Sequence, residues 1–170
     1  MPQMMQTRTQ PTIGPVVYED VRGDLIPAIR EAILARWQSG AAGTASLNHG
    51  GWKSTDDLPW WPDPAIREWA AVLQRDFLQG RPIASAWAMV NRLGSSHPRH
   101  IHRTATRSGV YFVDAGEAPT APLIVEAGPG NVLTIDPNPA RLVIFSGRTY
   151  HRVPRYDGDA PRISIAFDVR

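Results

Sequence analysis

Two stretches in the first half of the chain carry apolar residues at helical spacing. In "GDLIPAIREAILARWQSG", Leu25, Ile26, Ile29, Ile33, Leu34 and Trp37 recur along one face, with Asp24 placed to cap the start and Gly40 to end the helix. In "PDPAIREWAAVLQRDFLQG", Ile66, Trp69, Ala70, Leu73 and Phe77 form a second stripe. Asp63 stands at the N-cap, Pro64 suits the first helical position and Gly80 closes the segment. From Pro82 the period changes. The runs "IASAWAMVNRL", "RSGVYFV", "APLIVEA", "NVLTI", "RLVIFS", "YHRVP" and "PRISIAFDV" are rich in β-branched and aromatic residues and are separated by Gly, Pro and Asp clusters. Such turn-punctuated runs predict an antiparallel sandwich or barrel. "YDGDAP" reads as a tight turn joining the last two strands. The pattern predicts a mainly β fold with flanking helices (α+β), in which two helices pack on an antiparallel sandwich.

Between the helices, "NHGGWKSTDDLPWWPD" is rich in Gly, Pro and Asp and predicts a loop. Its tryptophans, Trp52, Trp60 and Trp61, must pack against neighbouring elements or cover a cavity.

Composition narrows the picture. With 170 residues, 42% hydrophobic and 20% charged, the chain is long enough to bury a full core without disulfides or a structural metal. It contains no cysteine, which excludes thiolate metal sites and cysteine nucleophiles. No apolar run approaches the ~20 residues of a membrane span. The polar opening "MPQMMQTRTQPT" lacks the apolar core of a signal peptide, so residues 1–12 are expected to form a flexible tail on one domain over 13–170, in the cytoplasm. A net charge of +2 is too small to argue for nucleic acid. The clusters Arg99, His100, His102, Arg103, Arg107 and Arg148, His151, Arg152, Arg155 predict either a positive rim for an anionic substrate or ordinary solvated cations.

The candidate chemistry lies in "HPRHIHRTATRSGVYFV". His100 and His102 are two apart, so on an extended strand they project to one face. His151, in a later short strand, offers a third imidazole, and such a set suits iron, zinc, copper or nickel. Further on, Arg162 and Ser164 share one face of the last strand. There a guanidinium beside a hydroxyl can hold a carboxylate by charge-assisted hydrogen bonds. The other reading of Arg162 is an edge position facing water.

The order His-x-His, His, Arg-x-Ser resembles the Fe(II)- and 2-oxoglutarate-dependent oxygenases. The segments "NHGGWKS", "AWAMVNRLG", "GSSHPRHIH", "SGVYF" and "VIFSGRTYHRVPRYDGDAPRISIAF" resemble a small bacterial subgroup of them, over roughly residues 48 to 169. The family fold is the double-stranded β-helix, a distorted jelly roll. The resemblance implies Fe(II) as cofactor, 2-oxoglutarate as co-substrate and dioxygen as oxidant. It places His100, His102 and His151 at the metal-ligand, and thus catalytic, positions, with Arg162 and Ser164 on the distal carboxylate of 2-oxoglutarate. Asn91 and Tyr111 are further candidates for co-substrate contacts. His97, Trp52, Arg103 and Arg148 are candidates for substrate contacts.

The wider superfamily has a carboxylate where His102 stands, so an acid elsewhere, such as Asp114 or Glu126, is the alternative third ligand. The implied reaction is hydroxylation of an unactivated C–H bond in a small, acidic molecule or a peptide, with release of succinate and carbon dioxide. Two alternatives stay open: a cupin-like three-histidine dioxygenase that does not use 2-oxoglutarate, and a non-catalytic jelly-roll binding module. No membrane partner is expected, and the exposed face of a small sandwich suits a homodimer.

Overall fold

The computed structural model describes residues 14–44 and 49–170. The expected N-terminal tail and the start of the tryptophan-bearing loop fall outside them. In chain order the elements are β1 (Val16–Tyr18), α1 (Ile26–Gln38), β2 (Trp52–Lys53), α2 (Pro64–Val72), β3 (Ile83–Asn91), β4 (His97–His100), β5 (Arg107–Asp114), β6 (Leu123–Gly128), β7 (Asn131–Ile135), β8 (Leu142–Ser146), β9 (His151–Val153) and β10 (Arg162–Val169). All seven predicted strands and both helices form. The strands β1, β2 and β4 had no readable signal. Two are only two or three residues long, and β4 is a histidine- and proline-bearing run without apolar alternation.

The strands form two antiparallel sheets that face each other without closing into a barrel. The larger runs β1-β8-β5-β10-β3-β2 and the smaller β4-β9-β6-β7. This is the jelly-roll architecture expected. The segment "YDGDAP" is not a hairpin turn, because β9 and β10 lie in different sheets and the chain crosses from one to the other there.

Period-2 alternation divides the central strands of the large sheet between two cores. Val110 and Phe112 of β5, Val143 and Phe145 of β8, Met89 of β3 and Ala166 of β10 face the small sheet. The residues between them, among them Tyr111, Val90, Ile165 and Phe167, face outward and are covered by Ile29 and Ile33 of α1 and by Ile66 and Trp69 of α2. Both helices therefore lie on the outer face of the large sheet. Trp69 anchors this layer, tilted against Tyr111 at 5.7 Å and edge-on to Phe167 at 6.2 Å between centroids. Its truncation to Ala would cost about 3–5 kcal/mol.

Asp63 occupies the N-cap position of α2 as expected, though its side chain makes no capping hydrogen bond, whereas Asp24 does not cap α1 and pairs instead with Arg22. Pro64 does occupy the first helical position. Gly80 takes a φ of 75°, a left-handed conformation that glycine adopts without cost, and ends the segment. Among the described residues no helix is long and apolar enough to cross a membrane.

Candidate metal and co-substrate site

The space between the sheets narrows to a cavity that is lined by His97, His100, His102, His151, Arg162 and Ser164 together with apolar side chains of the inner core. The three metal-candidate histidines converge here, each offering a ring nitrogen within 4.8 Å of the others. His100 closes β4 and faces His151 at the start of β9 in register, with ring centroids 4.2 Å apart. His102 lies beyond the strand, in a loop pinned by its N–H to the Gly147 carbonyl at 2.8 Å, and its ring sits 5.2 Å from His100 and 5.1 Å from His151. The two histidines thus share a site although β4 ends between them. A register shift between His97 and His100 matters as well. Residues three apart on a regular strand face opposite ways, and the irregularity lets both line the cavity.

Each of the three rings has its Nδ1 engaged by an acceptor. The Nδ1–H of His100 donates to Pro98 O at 2.7 Å and that of His151 to Thr149 O at 3.0 Å, while His102 Nδ1 lies 2.6 Å from Asp168 Oδ1. A carbonyl can only accept, so the tautomer of His100 and His151 is set and Nε2 is left with its lone pair. Burial lowers the pKa of His100 and pulls that of His151 to about 3, which keeps both rings neutral. Neutral imidazoles with Nδ1 held from behind have the form that metal-binding histidines take.

Arg162 opens β10 and is 2% exposed. Its Nε donates to Ala121 O at 2.9 Å, and among the described residues no carboxylate lies within ion-pair distance of it. Burial lowers its pKa to about 10, so it stays charged at neutral pH. A buried cation without an anion is costly and is the form of an anion-binding site. Ser164 follows on the same face. Asn91 pairs with Arg162 across β3 and β10 and shares the inward face of Trp87 and Met89. Both its side-chain Oδ1 and Nδ2 are buried without a partner, as is His97 Nε2. His97 is held neutral, its pKa lowered to about 3 by burial and then by Arg162. Orphaned polar atoms of this kind are rare in folded proteins and mark a place where a ligand or water completes the bonding. The donor set fits a divalent metal and a dicarboxylate.

Other expected residues lie elsewhere. Tyr111 points to the outer face of the sheet, where its hydroxyl donates to Val21 O at 2.7 Å under the helices. Trp52 also packs on the helix side and donates Nε1–H to Ala41 O. Trp61 is buried there with Arg36 over its ring, so Trp52 and Trp61 staple the loop to the helical layer, while Trp60 is 62% exposed and none of the three lines the cavity. Arg103 is exposed, and Arg148 is exposed beside the β6–β7 hairpin. Of the six arginines in the expected basic rim, two are paired, Arg99 forking onto Glu126 and Arg155 bound to Asp157, whereas Arg152 lines the cavity. These pairings also remove Glu126 from the metal. Asp114 is removed likewise, since it binds Arg30 at 2.6 Å. The acid nearest the histidines is Asp168, which sequence reading missed. Its signal was the continuation of the inward face of β10 from Arg162 and Ser164 through Ala166.

The fold is that of the double-stranded β-helix, a jelly roll. The chain is similar over 92% of its length to a Pseudomonas putida prolyl-4-hydroxylase (TM-score 0.73, 18% identity, 93% of that chain covered). It is similar over the same share to a prolyl hydroxylase from Trichoplax adhaerens in complex with a hypoxia inducible factor peptide fragment (0.74, 16%, 83% covered). A viral collagen prolyl hydroxylase from Paramecium Bursaria Chlorella virus-1, in a 2-oxoglutarate complex, also matches (0.68, 9%, 95% covered). At these identities the structures speak for fold alone. Residues 125–168 match the family model described as "Putative 2OG-Fe(II) oxygenase". No curated protein matches the chain in sequence. Family match and fold point the same way, to the Fe(II)- and 2-oxoglutarate-dependent oxygenases, a class that implies Fe(II) and 2-oxoglutarate. Neither favours the cupin-like or the non-catalytic alternative.

Proposed function

We propose that the chain is an oxygenase that hydroxylates an unactivated C–H bond of a peptide or a small, acidic molecule, with His100, His102 and His151 holding Fe(II) and Arg162 holding 2-oxoglutarate. The observation that carries this reading is the pairing, in one cavity, of three histidines whose Nδ1 atoms are all engaged with a buried arginine that lacks an anion. Bound iron with 2-oxoglutarate and dioxygen supplies the oxidising power, with succinate and carbon dioxide as co-products.

The protein's own residues do the rest. Arg162 and the Ser164 hydroxyl orient the distal carboxylate, and the guanidinium's planar fork fixes that end against rotation. Asn91 offers a donor and an acceptor beside it, and His97 an unused ring nitrogen. Phe112, Leu123 and Val110 wall the space and keep water out. Peptides bearing proline are the first substrates to try, since three of the similar structures are prolyl hydroxylases.

The test is anaerobic addition of Fe(II) and 2-oxoglutarate to protein purified without a His-tag. A visible charge-transfer band that disappears at limiting co-substrate in Arg162→Ala supports the reading. No band with the wild type would exclude it. A peptide panel screened for substrate-stimulated succinate formation then identifies the substrate.

A further inference from the structure

Three imidazole ligands would leave a metal one negative charge short of the two-histidine, one-carboxylate set that commonly holds Fe(II) in such sites. The missing charge stands directly behind one of them. Asp168 Oδ1 lies 2.6 Å from His102 Nδ1, and Ser108 Oγ donates to the same oxygen at 2.6 Å. Asp168 and Ser108 face each other in the β5–β10 register, so two strands of the large sheet hold the carboxylate in place. The side chains of His102 and Asp168 are only 12% and 16% exposed, which protects the contact from screening by solvent. On its other side His102 stacks on Trp87, with centroids 5.7 Å apart and planes 16° from parallel, so the ring is clamped.

We propose that Asp168 is the positioning residue of the metal site and supplies, through His102, the charge that a carboxylate ligand would supply directly. This rests on the reading of His102 as a ligand. A carboxylate accepting from Nδ1–H fixes the tautomer, aims Nε2 at the metal and makes the imidazole a stronger donor. The acid has moved from the ligand shell to the residue behind it, so the identities of positions 102 and 168 are coupled.

Co(II) serves as a spectroscopic probe for Fe(II), titrated into metal-free protein. Asp168→Asn should weaken Co(II) about ten- to hundredfold and shift its visible d–d absorption. Ser108→Ala, which leaves the carboxylate but removes its support, should weaken it less. His102→Asp restores the commoner donor set yet sets two carboxylates against each other, so alone it should bind Co(II) more weakly than the His102→Asp, Asp168→Asn double variant. A merely structural Asp168 would not produce that reversal. Wild-type binding with unchanged affinity and spectrum in Asp168→Asn would overturn the coupling. So would His102→Asp binding as tightly as the double variant, or His102→Ala keeping full affinity. A wild type that takes no Co(II) would instead sink the ligand reading, and this inference with it.

Discussion

Arg162 and Asn91 stand opposite each other in the β3–β10 pairing, both buried on the face that turns to the small sheet, and neither meets a carboxylate. Each is a cost to the fold. Arg162→Met should therefore leave the apoprotein melting at the same temperature or higher, because a buried charge is exchanged for a side chain that packs. The same variant should lose the stabilisation that 2-oxoglutarate gives the metal-loaded wild type, about 2.7 kcal/mol at a hundredfold excess over its dissociation constant. Thermal melts with and without co-substrate measure both. A destabilised apoprotein that still responds to 2-oxoglutarate would contradict the assignment.

Tyr111 and Asn91 should separate cleanly. Tyr111→Phe removes the hydroxyl bonded to Val21 O under the helices, so it should cost about 0.5–1.5 kcal/mol and leave 2-oxoglutarate affinity unchanged. Asn91→Ala deletes two unpaired buried polar atoms, so it should hold or raise stability while weakening co-substrate or substrate binding. Urea unfolding and 2-oxoglutarate titration of the two variants give opposite patterns if each face of the sheet does what its contacts indicate.

Tyr111 and Arg162 show what the sequence could and could not reveal. Both sit in strands whose alternation was plain, but the pattern does not say which face looks to helices and which to a cavity when both are apolar. On β10, Ile163, Ile165 and Phe167 marked the buried outer face, and that put Arg162 and Ser164 on the other side correctly. On β5 every residue from Ser108 to Val113 is buried, so no polar partner distinguished Tyr111 from Phe112. His100 and His151 were legible from the order His-x-His and then His, and strand register brings them together. His102 reaches the cavity through a loop tied to Gly147, a tertiary contact no local pattern carries. Asp114 and Glu126 were plausible acids until their arginine partners, 84 and 27 positions away, were known.

The loop holding His102 makes Gly147 a sensitive position. A Cβ there would run into the Ala105 carbonyl oxygen and come within 2.8 Å of His102 O. Gly147→Ala must push that loop away, and its N–H bond to the Gly147 carbonyl with it. A shift of about an ångström is enough to spoil a metal site. Metal affinity should therefore fall by at least about tenfold, on the scale of lost ligand support, while the chain still unfolds cooperatively. Co(II) titration alongside urea unfolding checks this, and equal losses in both would point to general misfolding instead.

The buried histidines make the metal-free protein sensitive to acid. The pKa of His97 falls from 6.5 to about 3, mainly through burial, and that of His151 falls equally far. In the unfolded chain both titrate near 6.5, so between about pH 6.5 and 3 the unfolded state binds protons that the folded state refuses. Stability then decreases as pH falls through that window, by up to about 1.4 kcal/mol per pH unit for each group, and the penalty is absent above it. His97→Asn removes one of these groups without touching a proposed ligand. Its unfolding free energy, measured in urea at pH 7, 6, 5 and 4, should fall less steeply than that of the wild type, by as much as one proton's share of the slope. Parallel slopes for the two proteins would mean that His97 is protonated in the folded state, and that the cavity around it is wetter than its 9% exposure and unpaired Nε2 indicate.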